Sequence, residues 1–208
     1  MTRTYHEGQV ELQERFDTER LAGMLAGISS PEITDEYRRF IEARDMFFLA
    51  TADAEGRPEC SYKGGDPGFV RVLDATTVAF PIYDGNGMFL SAGNMGVNPH
   101  VGMLFMDFSG GTRLRLNGTA SIDLDDPLVA TFPGATLVVR VTAETVFMNC
   151  RRYAHRYELV ERSTFVPSAT HDAPVPDWKV GPWMEGLLPA GDPALDPNAT
   201  VAPATPEF

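Results

Sequence analysis

The sequence predicts a mainly β protein with flanking α-helices, built on a six-stranded antiparallel barrel. Three observations carry this expectation. Six apolar runs of strand length lie between residues 46 and 147, joined by short connections. The run "TRLRLNGTASID" alternates, with Leu114 and Leu116 facing one way and Arg113, Arg115 and Asn117 the other. A single short crossing helix interrupts the series, and the remaining helical patterns precede the strands, so helices pack outside a closed sheet.

Residues 7–27 read as a helix, with Leu12, Phe16, Leu21, Leu25 and Ile28 as its apolar stripe. "SSPEITDEYRRFIEARD" predicts a second helix. Ser30 caps it, Pro31 fits its first turn, Glu32 and Asp35 favour its positive end, and Ile33, Tyr37, Phe40 and Ile41 form its apolar face. The period then switches. "MFFLATAD", "PECSYKG" and "TTVAFPIY" are strands, the first two separated by the turn "AEGR". Pro81 marks the third as an edge or the site of a bulge. "GMFLSAGNM" is the short helix, which must end before "NPHV" because the residue preceding a proline avoids helical geometry. "VGMLFMDF", "TRLRLNGTASID" and "ATLVVRVTAETVF" complete the six strands, with "DDPLVATFPG" a connector before the last. The expected organisation is N-terminal helices over 1–45, the barrel over 46–167, and a proline-rich arm over 168–208 that becomes disordered beyond Pro189.

The 208 residues suit one globular domain with or without a tail, and a chain of this size buries roughly 70% of its unfolded surface. The N-terminus is polar without an apolar signal core, and no run of about 20 apolar residues occurs, so a cytoplasmic protein away from the membrane is expected. The two cysteines, Cys60 and Cys150, then read as reduced thiols. A formal net charge of −12 argues against nucleic-acid binding.

No dinucleotide fingerprint, phosphate-binding P-loop or nucleophile elbow is present, and His6, His100, His155 and His171 lack the spacing of a metal site. The carboxylates at 123–126 read as a solvated turn. Attention falls on the glycine-rich stretch 61–89. Gly64, Gly65 and Gly68 follow Lys63, and Gly85 and Gly87 bracket Asn86 where the short helix is expected to begin, a place whose free N–H groups suit a phosphate. Each glycine taken singly reads as a turn. A dense basic cluster, Arg151, Arg152, His155 and Arg156, follows Asn149 and Cys150 and reads as a solvated helix or as an anion site.

The succession "FFLATADAEGRPECSYKGG", "GFVRVLDATTVAFPIYDGNGMF", "NPHVGMLFMDF" and "RLRLNGTASI", over residues 47–122, resembles the pyridoxamine 5'-phosphate oxidase-like family, the FMN-binding split barrels. The later "FMNCRRYAHRYELVERSTFVP" and "PVPDWK" are similar to its predicted flavin-nucleotide-binding branch. The resemblance implies a six-stranded Greek-key split barrel that forms a homodimer with FMN at the interface. It implies that Ser61, Tyr62 and Lys63 line the flavin, that Pro81, Ile82, Tyr83, Asn86, Gly87 and Met88 hold the ribityl phosphate, and that Arg113 and Arg115 lie on a strand reaching the flavin. Better-known members carry Arg or Lys after the position of Asn86, where this chain has Gly87 and Met88; the arginine-and-histidine motif of the vitamin B6 oxidase near the C-terminus is also missing. The implied activity is FMN-dependent oxidation or reduction of a small molecule, with a nicotinamide donor among the candidate partners. A deazaflavin F420 reductase and a non-catalytic flavin or haem binder are the alternatives.

Overall fold

A computed structural model describes residues 5–203, in two compact units that divide after Val160. In the first unit the helices are α1 (Glu7–Arg15), α2 (Glu19–Gly27), α3 (Asp35–Glu42) and α4 (Leu90–Val97). The strands are β1 (Met46–Ala52), β2 (Pro58–Gly64), β3 (Arg71–Val72), β4 (Thr77–Tyr83), β5 (His100–Asp107), β6 (Thr112–Ile122) and β7 (Ala135–Asn149). They form one antiparallel sheet in the order β2-β1-β5-β6-β7-β4-β3, whose hydrogen-bonded ladder is open between its two ends. The sequence expectation of six strands becomes seven because β3, two residues against Val78 and Ala79, is too short to show an alternation.

Register decides which side chains face inward. Phe47 lies opposite Phe105, and Phe105 opposite Leu114; all three are fully buried. One step along, Leu49, Met103, Leu116 and Val146 repeat the row. The sheet curls so that β4, near the other end of the ladder, brings Phe80 to 5.0 Å from the Phe47 ring in an edge-on contact. Phe105 and Phe69 complete the cluster at 5.2 and 5.8 Å. The pairing of β6 with β7 shifts between Asn117 and Gly118, leaving Glu144 as the extra residue of a bulge. A Cβ on Gly118 would lie 2.1 Å from the Thr142 carbonyl oxygen, so no larger residue fits there. The irregularity expected from Pro81 falls one residue later, between Ile82 and Tyr83.

Several sequence expectations are corrected. Residues 7–27 form two helices, because Asp17 takes a left-handed φ of 52° and redirects the chain. Their stripe is not buried: Leu12, Phe16, Leu21, Leu25 and Ile28 are all exposed. Ser30 does not cap α3. Its carbonyl accepts the Val146 N–H at 2.6 Å, which keeps the chain extended, and Thr34 caps the helix instead by accepting the Tyr37 N–H at 3.3 Å. The run at 123–126 is not wholly solvated either. Asp126 is buried, accepts the Leu128 N–H at 2.9 Å and receives a two-pronged contact from Arg140, at 2.6 and 3.0 Å. It thereby anchors the 3-10 turn Pro127–Thr131, beside which Phe132 packs on Ala79 and Val138 in a small second core on the outer face of the sheet.

The second unit carries its own local order. Val175 and Val201 form a parallel bridge, and Trp178 and Trp183 stack at 6.2 Å. Lys179 donates to Asp192 at 2.8 Å with both side chains only 4% exposed, and Asp192 also accepts the Ala194 N–H at 2.9 Å. Disorder beyond Pro189 is therefore not found through residue 203; the ion pair and the bridge tie this segment back, which its lack of periodicity concealed. Residues 204–208 and 1–4, included in the sequence expectations, lie outside the described residues.

The Asp126–Arg140 pair predicts a pH dependence. The Arg140 hydrogen bonds hold the Asp126 carboxyl below its ordinary value, outweighing burial. A folded-state pKa below the unfolded one, about 3.9, gives stability that is complete above that value and is lost as pH falls through the folded pKa. Asp126→Asn should cost about 1–3 kcal/mol near neutrality, and the gap to the parent should narrow below about pH 4. Thermal melts at pH 7 and pH 3 check this; an equal gap at both pH values would count against the pair.

Candidate functional site

The candidate site forms where the inward row reaches the edge strand. Register places Glu59, Ser61 and Lys63 of β2 opposite Thr51, Leu49 and Phe47 of β1, on the face that elsewhere makes the core. At this edge α4 packs against β1, β2 and β6. Its first turn brings Ser91, which is buried, onto the β2 side chains. Glu59 is the hub. Its carboxylate accepts from Thr51 at 3.0 Å and from Ser91 at 3.2 Å, and it accepts the Ser61 hydroxyl in a short contact. The two serine hydroxyls lie 2.9 Å apart. Lys63 donates to Ser91 at 3.2 Å, and Asn94, one turn along α4, donates to Thr51 at 3.1 Å.

The electrostatics follow from these contacts. Burial pushes the Glu59 carboxyl up, but the hydrogen bonds from Ser61, Thr51 and Ser91 and the charge of Lys63 prevail, so it sits below its ordinary value and stays ionised. Half-burial pulls the Lys63 ammonium down, against the charge of Glu59. Sequence reasoning singled out Ser61 and Lys63 but missed Glu59, Thr51, Ser91 and Asn94. The available signal was the parity of β2: Glu59 falls two residues before Ser61 and four before Lys63, hence on the same face.

The other expected site residues are dispersed. Tyr62 points to the opposite face, largely exposed and edge-on to Phe48 at 6.2 Å; partial desolvation and the charge of Asp45 raise its phenol. Pro81, Ile82 and Tyr83 lie on β4, with Ile82 against the barrel core. The Tyr83 phenol is raised by burial and by Asp66, against Arg71. Asn86, Gly87 and Met88 precede the helix rather than begin it. Asn86 accepts the Met88 N–H at 3.1 Å, Gly87 has a φ of 75°, and Phe89, left-handed at 48°, delays α4 to Leu90. Gly64 and Gly65 are closely packed, and side chains there would strike Tyr62 and Phe69.

Arg113 and Arg115 face away from the Phe47 row. Arg113 donates to the carbonyls of Cys150, at 2.7 Å, and Arg152, at 3.2 Å, while its Nε is buried without a partner. Arg115 is exposed on the face shared with Leu104 and Phe147. The basic cluster is a turn and not a helix, with Tyr153 at a φ of 64° and Arg151 donating to Thr112 at 3.2 Å. Cys150 and Cys60 are both free and exposed. The Cys150 thiol is lowered by hydrogen bonding from the Arg152 side chain and backbone, helped by the charges of Arg152 and Arg113.

The pyridoxamine 5'-phosphate oxidase family model matches residues 33–163. This is more than half of the chain, which therefore belongs to that family and carries its split-barrel fold. Among solved structures it is similar to a candidate pyridoxamine 5'-phosphate oxidase from Lactobacillus delbrueckii, at 25% identity and a TM-score of 0.46, over 57% of this chain and 95% of that one. It is also similar to HupZ from Group A Streptococcus, at 19% identity and a TM-score of 0.47, over 61% and 99%. The haem storage protein HutZ from Vibrio cholerae matches at 22% identity and a TM-score of 0.41, over 56% and 94%. No curated protein matches the chain.

The lowered Cys150 thiol has a measurable consequence, since the thiolate is the reactive form. Arg152→Ala should slow modification of Cys150 by a chromogenic disulfide reagent at pH 7 in a Cys60→Ser background. Unchanged kinetics would mean that Arg152 does not set the reactivity of this thiol.

Proposed function

We propose that this chain is a flavin-dependent oxidoreductase acting on a small organic molecule, with FMN as the cofactor that its family resemblance implies. The observation that supports it most directly is the half-buried Lys63 ammonium on the edge strand. It donates to Ser91 at 3.2 Å, and an ammonium carries further N–H donors that a ligand could take. The polar atoms of Ser61 and Lys63 suit the hydrogen-bonding edge of a flavin. A bound flavin supplies the hydride or electron transfer. The protein's share is to bind and orient. Lys63 carries positive charge to the site, Ser91 fixes where its ammonium lies, and α4 shields one side of the site from water.

A homodimer belongs to the same reading. Lys63 faces the barrel interior while Arg113 and Arg115 face away from it, so a ligand touching both sets is shared between two copies. Light scattering should give twice the mass of one chain, and a monomer at micromolar concentration would remove this part of the proposal.

The absorption spectrum of freshly purified protein tests the cofactor. Flavin bands are expected; a haem or deazaflavin spectrum would replace the reading with one of its alternatives. In apo-protein, Lys63→Ala should weaken FMN binding about tenfold or more, the loss of one charge-assisted hydrogen bond. Unchanged affinity in a folded variant would remove Lys63 from the site.

A further inference from the structure

The half-buried Lys63 ammonium shares the inward face of β2 with a carboxylate. The Ser91 hydroxyl bridges the two: it accepts from Lys63 at 3.2 Å and donates to Glu59 at 3.2 Å. The groups that contact this pair, Thr51, Ser61 and Ser91, are neutral hydroxyls, and Thr51 and Ser91 are themselves buried. Glu59 and Lys63 each feel the other's charge. In surroundings this poor in water, opposite charges act strongly on one another and salt screens them little. A cation joined to a carboxylate in this way presents almost no net charge to a ligand. The consequence concerns the two oxidation states of a flavin. Two-electron reduction near neutrality takes up one proton and leaves the ring with one negative charge. An uncompensated cation beside the ring holds the reduced form more tightly than the oxidised form. A cation paired with a carboxylate does not.

Resting on the flavin reading above, we propose that Glu59 sets the reduction potential of the bound flavin by cancelling the charge that Lys63 brings to it. Glu59 is a positioning residue: it acts through Lys63 and the Ser91 bridge and needs no contact with the flavin. Lys63 then orients the ring without making its reduced form a trap. A reduced flavin held no tighter than the oxidised one gives up its electrons to a substrate as readily as free flavin does. Removing the carboxylate charge leaves Lys63 uncompensated and draws the equilibrium toward the reduced form; removing the ammonium leaves Glu59 uncompensated and does the reverse. Removing both restores the balance.

The test begins with a fluorescence titration of apo-protein with FMN. Reduction potentials are then measured at saturating FMN and pH 7 for the parent, Glu59→Gln, Lys63→Met and the double variant, against a reference dye with xanthine and xanthine oxidase as the reductant. Circular-dichroism melts establish folding. Glutamine keeps the shape of Glu59, and the Ser61 hydroxyl can turn to accept from its amide. Glu59→Gln should favour the reduced form by about tenfold or more, a rise of about 30 mV, and Lys63→Met should lower the potential by a similar amount. The double variant should return to within about threefold of the parent, or about 15 mV. A merely structural role would weaken both oxidation states together and leave the potential where it was. A folded Glu59→Gln with the parent's potential overturns the inference, as does a double variant that matches Lys63→Met; both leave the flavin reading intact. So does a parent that binds reduced FMN more than about a hundredfold tighter than oxidised FMN, about 60 mV above free FMN, and this arm needs no variant to fold. If the parent binds no FMN, the flavin reading itself fails, and this inference with it.

Discussion

The contact between Phe47 and Phe80 is the constraint on which the rest of the barrel depends. These residues sit on strands near opposite ends of one hydrogen-bonded ladder, and their rings meet at 5.0 Å. That contact requires the sheet to curl on itself, since strands so far apart in a flat sheet could not touch. Phe69 and Phe105 pack around the same ring, and Phe69 stands on the glycine-rich connection after β2. Gly65 is small because that ring occupies the space a Cβ would take, at 2.4 Å. The connection is further tied by the Gly65 N–H to Asp45 and the Gly68 N–H to Glu42. Of the glycines in this stretch, Gly65 thus serves the aromatic cluster.

Closure also explains why the polar site lies where it does. With Phe47 fixed inward, alternation commits Leu49 and Thr51 to the same face, and antiparallel pairing commits Lys63, Ser61 and Glu59 with them. A one-residue slip would turn these polar groups outward and put Cys60 and Tyr62 in their place. At the sheet edge the inward row passes from barrel interior to the underside of α4, and side chains change there from apolar to polar. Asn94 and Ser91, three apart on one helical face, meet the row from above.

Much of the barrel was legible in the sequence because its strands obey period two: Leu114 and Leu116 are buried as the alternation of β6 required. The helix before the proline at 99 stopped where expected, at Val97. What was not legible depended on contacts distant in sequence. Ser30 looks like a cap until the Val146 N–H claims its carbonyl. Asp126 looks solvated until Arg140, on the following strand, reaches it. The start of α4 could not be placed because Phe89 adopts a left-handed conformation that bulky residues avoid, so no propensity argument finds it. Ser61 and Lys63 were found through resemblance. Glu59 was not, although the same alternation that placed Leu114 inward applies to it.

The Glu59 network also bears on the stability of the local fold. A carboxylate this close to the core is tolerable because three hydroxyls hydrogen-bond to it and a cation stands nearby; losing one partner leaves the charge under-satisfied, which in a poorly solvated setting costs more than the bond itself contributes. The same bonds hold β2 to α4 through Ser61, Ser91 and Lys63, so the helix is positioned by polar contacts as well as by packing.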